Sequence, residues 1–268
     1  MGEAKQHVAS GEPPGLAGLA ARTGADLADL ILPVGCAGCA EPGVPLCRTC
    51  RDCFSALRRC EEDTVLLAGG TGFPTWTSSS YTGAVRHIVL AWKSGARADL
   101  AAPVYELGRH AGRRLAEQLE LGHPTSPGAL AEPQLLVVPA PSGWRRRLAR
   151  RLVAADLARA VAHGVAETTG STVWAADILR RSGVSTHGLG ASARARSGRR
   201  SVRSRSTVPP GLPVLIVDDV VTTGATIEAC RRRLRSCGGQ VAGAYALAAT
   251  PPPGRTTLEG EEARVTEC

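Results

Sequence analysis

Aromatic side chains, lysine and methionine are all scarce in this chain. Among 268 residues there are four Trp, three Tyr, two Phe and one Met, so any core must be built from Ala, Val, Leu and Ile. The shortage also counts against a nucleic-acid surface of stacked rings, because single-strand binding pairs a basic groove with aromatic platforms. Lysine occurs only at Lys5 and Lys93. Neither stands in a G-x-x-x-x-G-K-[ST] loop, which excludes a P-loop nucleotide site. No run approaches the ~18 apolar residues that a membrane-spanning helix needs. The N-terminus carries acids and no signal-peptide-like apolar segment, and Gln6 stands where a myristoylation signal has Ser or Thr. The expectation is a cytoplasmic protein without membrane insertion. No internal repeat of solenoid length is present.

What is present is arginine. With two lysines among 32 basic residues, 30 are arginine, and the formal net charge is +8, a balance compatible with an anionic ligand or partner. The length suits one α/β domain plus a small accessory module. Residues 1–27 are expected to be a mobile N-terminal segment, apart from a short helix over Ala25 to Leu32. Residues 28–62 hold a cysteine-rich module, 61–80 read as irregular, 81–250 as the main domain and 251–268 as a polar tail. In the main domain Val85, Ile88, Val89 and Trp92 recur at helical spacing. Further helices are expected over Val104 to Leu121 and Arg147 to Thr168, and strands over Leu135 to Val138, near Ile178 and over Val241 to Ala248. Residues 182–207 are rich in Ser, Arg and Gly with few core formers, which predicts a long loop. Strands alternating with helices imply a parallel sheet that binds ligands at its C-terminal edge.

The most informative segment is 214–226, Val-Leu-Ile-Val-Asp-Asp-Val-Val-Thr-Thr-Gly-Ala-Thr. Val214 to Val217 make a short buried strand, and Asp218 and Asp219 sit where it is expected to end. The turn Thr222-Thr223-Gly224-Ala225-Thr226 then leads into a helix. Free N–H groups and the positive helix end make that turn an anion site, and Gly224 permits close approach of a phosphate. The two carboxylates would repel a phosphate, so they must face sugar hydroxyls or a divalent cation. A ligand with a phosphate at one end and a diol at the other satisfies both halves.

Six of the nine cysteines lie within residues 36–60. Cys36-Ala-Gly-Cys39 and Cys47-Arg-Thr-Cys50 are two Cys-x-x-Cys knuckles, and two such knuckles complete a tetrahedral thiolate site for a structural Zn²⁺ with no open position for chemistry. Cys53 or Cys60 could replace a member of the second knuckle. Cys230 and Cys237 fall at helical spacing with Ile227 and Leu234, so burial accounts for them.

The segment 214–226 resembles the phosphoribosyl-pyrophosphate (PRPP) motif of the type I phosphoribosyltransferases, in which the acids contact the ribose hydroxyls and the threonine-glycine turn holds the 5′-phosphate. The resemblance implies a type I phosphoribosyltransferase-like parallel sheet with flanking helices, here beside a zinc-ribbon-like module. It assigns PRPP, with Mg²⁺, to Asp218, Asp219, Val220, Val221, Thr222, Thr223, Gly224, Ala225 and Thr226, with Asp218 and Asp219 as the catalytic pair. Together with the cysteine module, the chain resembles the ComF family, which is linked to DNA uptake in bacterial competence. That likeness includes Leu32-Pro33, Tyr81-x-Gly83-x-x-Arg86, Lys93-x-Gly95, Val138-Pro139-Ala140-Pro141 and Leu179-Arg180-Arg181. It places the pyrophosphate loop at Ala140, Pro141 and Ser142, and a closing loop at about Ser182 to Ser206. Family members carry an Arg-Gly-Phe-Asn-like segment after the Val-Pro-x-Pro loop, where this chain has Trp144 and an arginine cluster from Arg145 to Arg151. Two functions follow: phosphoribosyl transfer, or a non-catalytic competence accessory role that binds single-stranded DNA or a helicase-like partner. Lys93 reads equally well as a phosphate-binding cation and as a solvated helix terminus.

Overall fold

The apolar runs at 135–138, 214–217 and 241–248 form the middle of a six-stranded sheet in the computed structural model, which describes residues 34–60, 74–119, 134–141, 153–181 and 202–251. In chain order the elements are α1 (Arg48–Asp52), β1 (Arg58–Arg59), β2 (Thr75–Ser80), α2 (Gly83–Ser94), α3 (Ala101–Ala116), β3 (Leu135–Pro139), α4 (Val153–Thr169), β4 (Val173–Ala175), β5 (Leu179–Arg181), β6 (Val202–Ser204), β7 (Pro213–Val221), α5 (Ala225–Arg235) and β8 (Gln240–Ala249). The sheet order is β1-β2-β8-β7-β3-β4. Every pair is parallel except β1 with β2. The expected segment 1–27, its short helix, the arginine cluster after Trp144 and residues 252–268 lie outside the described residues.

Two-residue alternation sorts the core onto two faces. Leu135, Val137, Leu215, Val217, Tyr245 and Leu247 pack with α2, α3 and α4 on one side. Leu136, Val138, Val214, Ile216, Ala244 and Ala246 pack with Ile227, Cys230 and Leu234 of α5 on the other. With so few aromatics, the space between elements is closed by small residues. Gly108 and Gly112 of α3 and Gly164 of α4 let the two helices meet backbone to backbone: a methyl on Gly112 would collide with the Val161 carbonyl, and one on Gly164 with that of Arg109.

The structure departs from the sequence expectation at three places. Residues 75–80, read as irregular, are the strand β2, buried along its whole length. Its hydroxyls hide the usual strand signature, yet two of them are bonded inside: Ser78 Oγ lies 2.8 Å from the Tyr245 hydroxyl, and Thr77 Oγ1 donates to the Ser79 carbonyl at 3.2 Å. The end of the expected loop 182–207 is β6, which pairs antiparallel with β5; residues 182–201 are outside the described part. Strand β7 does not stop before the acids but runs on beside β8 to Val221.

The close helix crossing gives a direct test. Gly164→Ala or Gly112→Ala must push α3 and α4 apart, and overpacking of this kind costs about 1–3 kcal/mol. Either variant should unfold at a lower denaturant midpoint with an unchanged slope; an unaltered midpoint would contradict the backbone contact.

Candidate functional site

Alternation sorts the apolar part of β7: Val214 and Ile216 point toward α5, whereas Leu215 and Val217 point toward α2–α4. It breaks at the two acids, since Val220 again packs on the α2–α4 side and Val221 on the α5 side. Asp218 lines a depression together with residues 220–227. Asp219 lies beside it, the two carboxyl groups close enough to interact directly, and the Lys93 ammonium, from the last turn of α2, lies 2.8 Å from Asp219 Oδ1. Adjacent backbone N–H groups hold both carboxylates: Asp219 N–H donates to Asp218 Oδ1 and Val220 N–H to Asp219 Oδ1, each at 2.8 Å.

Beyond Val221 the chain turns sharply into α5. Gly224 is the N-cap with φ 66°, a left-handed conformation that strains any residue with a Cβ. The first helical bond runs from Glu228 N–H to the Gly224 carbonyl at 2.9 Å, and the opening turn of the helix lines the depression. Thr222, Thr223 and Ala225 are exposed, Thr226 is half-buried and Gly224 is buried. Asp218 and the whole turn Thr222–Thr226 therefore meet at one depression, with Asp219 adjacent and paired with Lys93.

The segment expected to hold pyrophosphate follows β3, next to β7 in the sheet. Ala140 N–H donates to the Val217 carbonyl at 2.7 Å, which pins this segment against the start of the acid pair. Arg181, at the end of β5, donates from Nε to the Pro141 carbonyl at 3.1 Å. Ser142 lies outside the described residues. The sequence pattern gave no role to Arg181 and divided evenly over Lys93. A signal for Lys93 did exist, since it is one of two lysines in a chain that otherwise uses arginine.

Cys36, Cys39, Cys47 and Cys50 form the other chemical cluster, their four Sγ atoms lying within 4.8 Å of one another. At a Zn–S length of ~2.3 Å a tetrahedral site needs sulfurs roughly 3.8 Å apart, and Cys39 and Cys47 stand 3.6 Å apart. Backbone N–H groups of Gly38 and Cys47 point at Cys36 Sγ, each at 3.4 Å, and that of Cys50 at Cys47 Sγ, also at 3.4 Å. Burial opposes ionisation of Cys36, but those N–H groups outweigh it and bring the thiol down to about 6. Burial pushes Cys47 up to about 12. Cys53 is buried and its Sγ lies 3.5 Å from the Thr49 carbonyl, while Cys60 is half-buried; neither belongs to the cluster. The donor set fits a closed thiolate-bound metal. It packs on α2, where a methyl on Gly38 would stand 2.6 Å from Cys50 Sγ and 3.0 Å from Ile88 Cδ1.

Burial, with the Asp219 charge adding to it, pushes the Asp218 carboxyl up to about 7, against the opposing pull of the Asp219 N–H and Lys93. An unfolded aspartate releases its proton near 4. From about pH 4 to about pH 7 the folded state thus holds more protons than the unfolded state, and stability attributable to this group falls as the pH rises. Asp218→Asn should melt at a higher temperature than the parent protein at pH 8, with the gap closing as the pH is lowered to 4. An equal difference at both pH values would show that ionisation of Asp218 carries no strain.

Comparison with known proteins agrees with this geometry. The family described as the phosphoribosyl transferase domain matches residues 147–260. Adenine phosphoribosyltransferase of Clostridium perfringens is 41% identical over 59 residues, 22% of this chain and 34% of that protein. Orotate phosphoribosyltransferase of Pelotomaculum thermopropionicum is 27% identical over 140 residues, 52% of this chain and 62% of the relative. The chain thus spans only about a third of the first of these relatives. A solved structure of hypoxanthine phosphoribosyltransferase from Trypanosoma cruzi, in complex with the product IMP, aligns with a TM-score of 0.31 and 18% identity over 56% of this chain and 78% of that one. Among the described residues no helix is long and apolar enough to cross a membrane. The matched segment and the parallel sheet together identify a type I phosphoribosyltransferase-like domain, accompanied by a four-cysteine cluster able to hold a metal ion.

Proposed function

We propose that this domain binds 5-phosphoribosyl-1-pyrophosphate, brought with Mg²⁺, and transfers its phosphoribosyl group to an acceptor. The observation that carries this reading is the single depression shared by Asp218 and the turn Thr222–Thr226. A carboxylate stands at the end that suits ribose hydroxyls, and the N-terminus of α5 with its threonine hydroxyls stands at the end that suits the 5′-phosphate. In the transfer the bond from C1 of ribose to pyrophosphate breaks, and a bond from C1 to the acceptor forms. Positive charge develops on the sugar as the pyrophosphate leaves with its electron pair. Mg²⁺ would neutralise the departing pyrophosphate. The chain's own contribution is to hold the sugar by both ends and keep the acid pair beside it, so that catalysis is positioning and charge stabilisation. The Ala140–Pro141 segment and Arg181 flank the side where pyrophosphate would depart.

Asp218→Asn with Asp219→Asn should abolish PRPP binding in calorimetry while circular dichroism remains that of the parent. Undiminished binding by the double variant would remove the reading. The ComF-type link to DNA uptake is proposed on the combination of cysteine knuckles with the PRPP-like motif. Its non-catalytic version, with single-stranded DNA or a helicase-like protein as partner, is separated by assaying pyrophosphate release from PRPP across a panel of nucleobases. Turnover with any base excludes an accessory-only role.

The cysteine cluster is proposed to hold a structural zinc ion, on the sulfur spacing and the N–H bonds to sulfur. Purified protein should contain about one equivalent of zinc, as one closed site requires. Cys36→Ser or Cys50→Ser should release it and lower the melting temperature, because the knuckles cover Ile88 and Ala84 of α2. Metal analysis finding no zinc in protein kept reduced would overturn this.

A further inference from the structure

Lys93 is held where it stands by the way α2 ends. Val89 and Trp92 of the last turn are buried in the core, and Gly95, at φ 70°, closes the helix with its N–H on the Trp92 carbonyl. That fixes the turn bearing Lys93 and delivers its ammonium to Asp219 Oδ1 at 2.8 Å, with side-chain exposures of only 21% and 12%. The same oxygen accepts the Val220 N–H, so the Asp219 carboxylate is clamped from two directions. Asp218 lines the ligand depression and Asp219 does not. Two like charges on adjacent residues of one strand are otherwise unfavourable, and a cation at one of them resolves the conflict.

We infer that Lys93 is a positioning residue of the diol site: its ammonium, with the Val220 N–H, holds the Asp219 carboxylate in place beside Asp218 at the edge of the depression. The inference rests on the phosphoribosyl-ligand reading for the identity of the ligand, but the charge arrangement can be read without any ligand. Lys93 from α2 acts on this pair, and the buried Cys230 from α5 lies within reach of the Asp218 charge, with Arg181 from β5 acting on Cys230 in turn. Lys93 is the cation beside Asp219. Its removal should make the pair harder to ionise, and Asp218 should record the change.

The first readout is the Asp218 side-chain carboxyl carbon, titrated by NMR in the ligand-free protein. Lys93→Met should raise its midpoint by about one unit, the low end of the effect of a neighbouring opposite charge. Lys93→Arg, which keeps the charge, should return it toward the parent value, and Lys93→Gln serves if the Met variant fails to fold. The second readout is calorimetric binding of ribose 5-phosphate across pH. Its midpoint should move by the same amount in Lys93→Met. In an Asp219→Asn background the Lys93 substitution should add little, since its partner is gone. An Asp218 titration unchanged by Lys93→Met overturns the inference. So does a loss of binding that is as large in the Asp219→Asn background as in the parent, which would mean that Lys93 touches the ligand itself. If the titration moves as expected but the parent protein does not bind ribose 5-phosphate, the ligand reading fails and the positioning role stands.

Discussion

Strand β7 is hydrogen-bonded along both edges, to β8 on one side and β3 on the other, and the site depends on that confinement. A strand held on both sides cannot rotate, so the alternation of its apolar residues becomes a fixed address for each. Four apolar residues anchor the register, two on each face. The acids that follow are delivered together to the end of the strand, Asp218 at the depression and Asp219 against Lys93. Pairing that continues to Val221 also sets where the chain leaves the sheet. The turn must form there, and α5 must start beside Asp218.

Around that strand the protein is assembled from small parts. The core of a chain with so few aromatic residues closes by letting backbones approach, as α3 and α4 do at their glycines. Close approach in turn gives rigidity, because a helix pair in backbone contact has no room to slide. The electrostatics follow a similar economy. Many arginines serve exposed pairs such as Arg109 with Glu106 and Glu167, whereas the one lysine in the described residues is reserved for a partly buried contact in the site.

The sequence displayed some of this openly and hid the rest for physical reasons. Val214 to Val217, followed by two acids and a threonine-glycine turn, could be read as a strand, an anion turn and a helix start, because each piece has its own local chemistry. The four clustered cysteines were legible from spacing alone. Strand β2 was not, since its Thr and Ser residues look like surface residues until a partner distant in sequence buries them, as Tyr245 does for the Ser78 hydroxyl. The break in alternation at the two acids was hidden too, since the period of an apolar run gives no sign of where it stops. The partnership of Lys93 with Asp219 spans more than a hundred residues, and no local pattern encodes it.

Helix α2 touches both chemical clusters of the molecule. Near its start Ala84 and Ile88 receive the cysteine knuckles, and in its last turn it presents Lys93. Twelve residues of α-helix make a rod about 18 Å long, stiff over that distance. A module as small as the knuckles cannot bury a core of its own, so it folds against this rod, and free energy gained by a metal in the cluster would be shared with the helix it rests on. The cysteines would then act as a foundation set under one end of a beam, at a distance from any chemistry, whose other end bears on the acid pair.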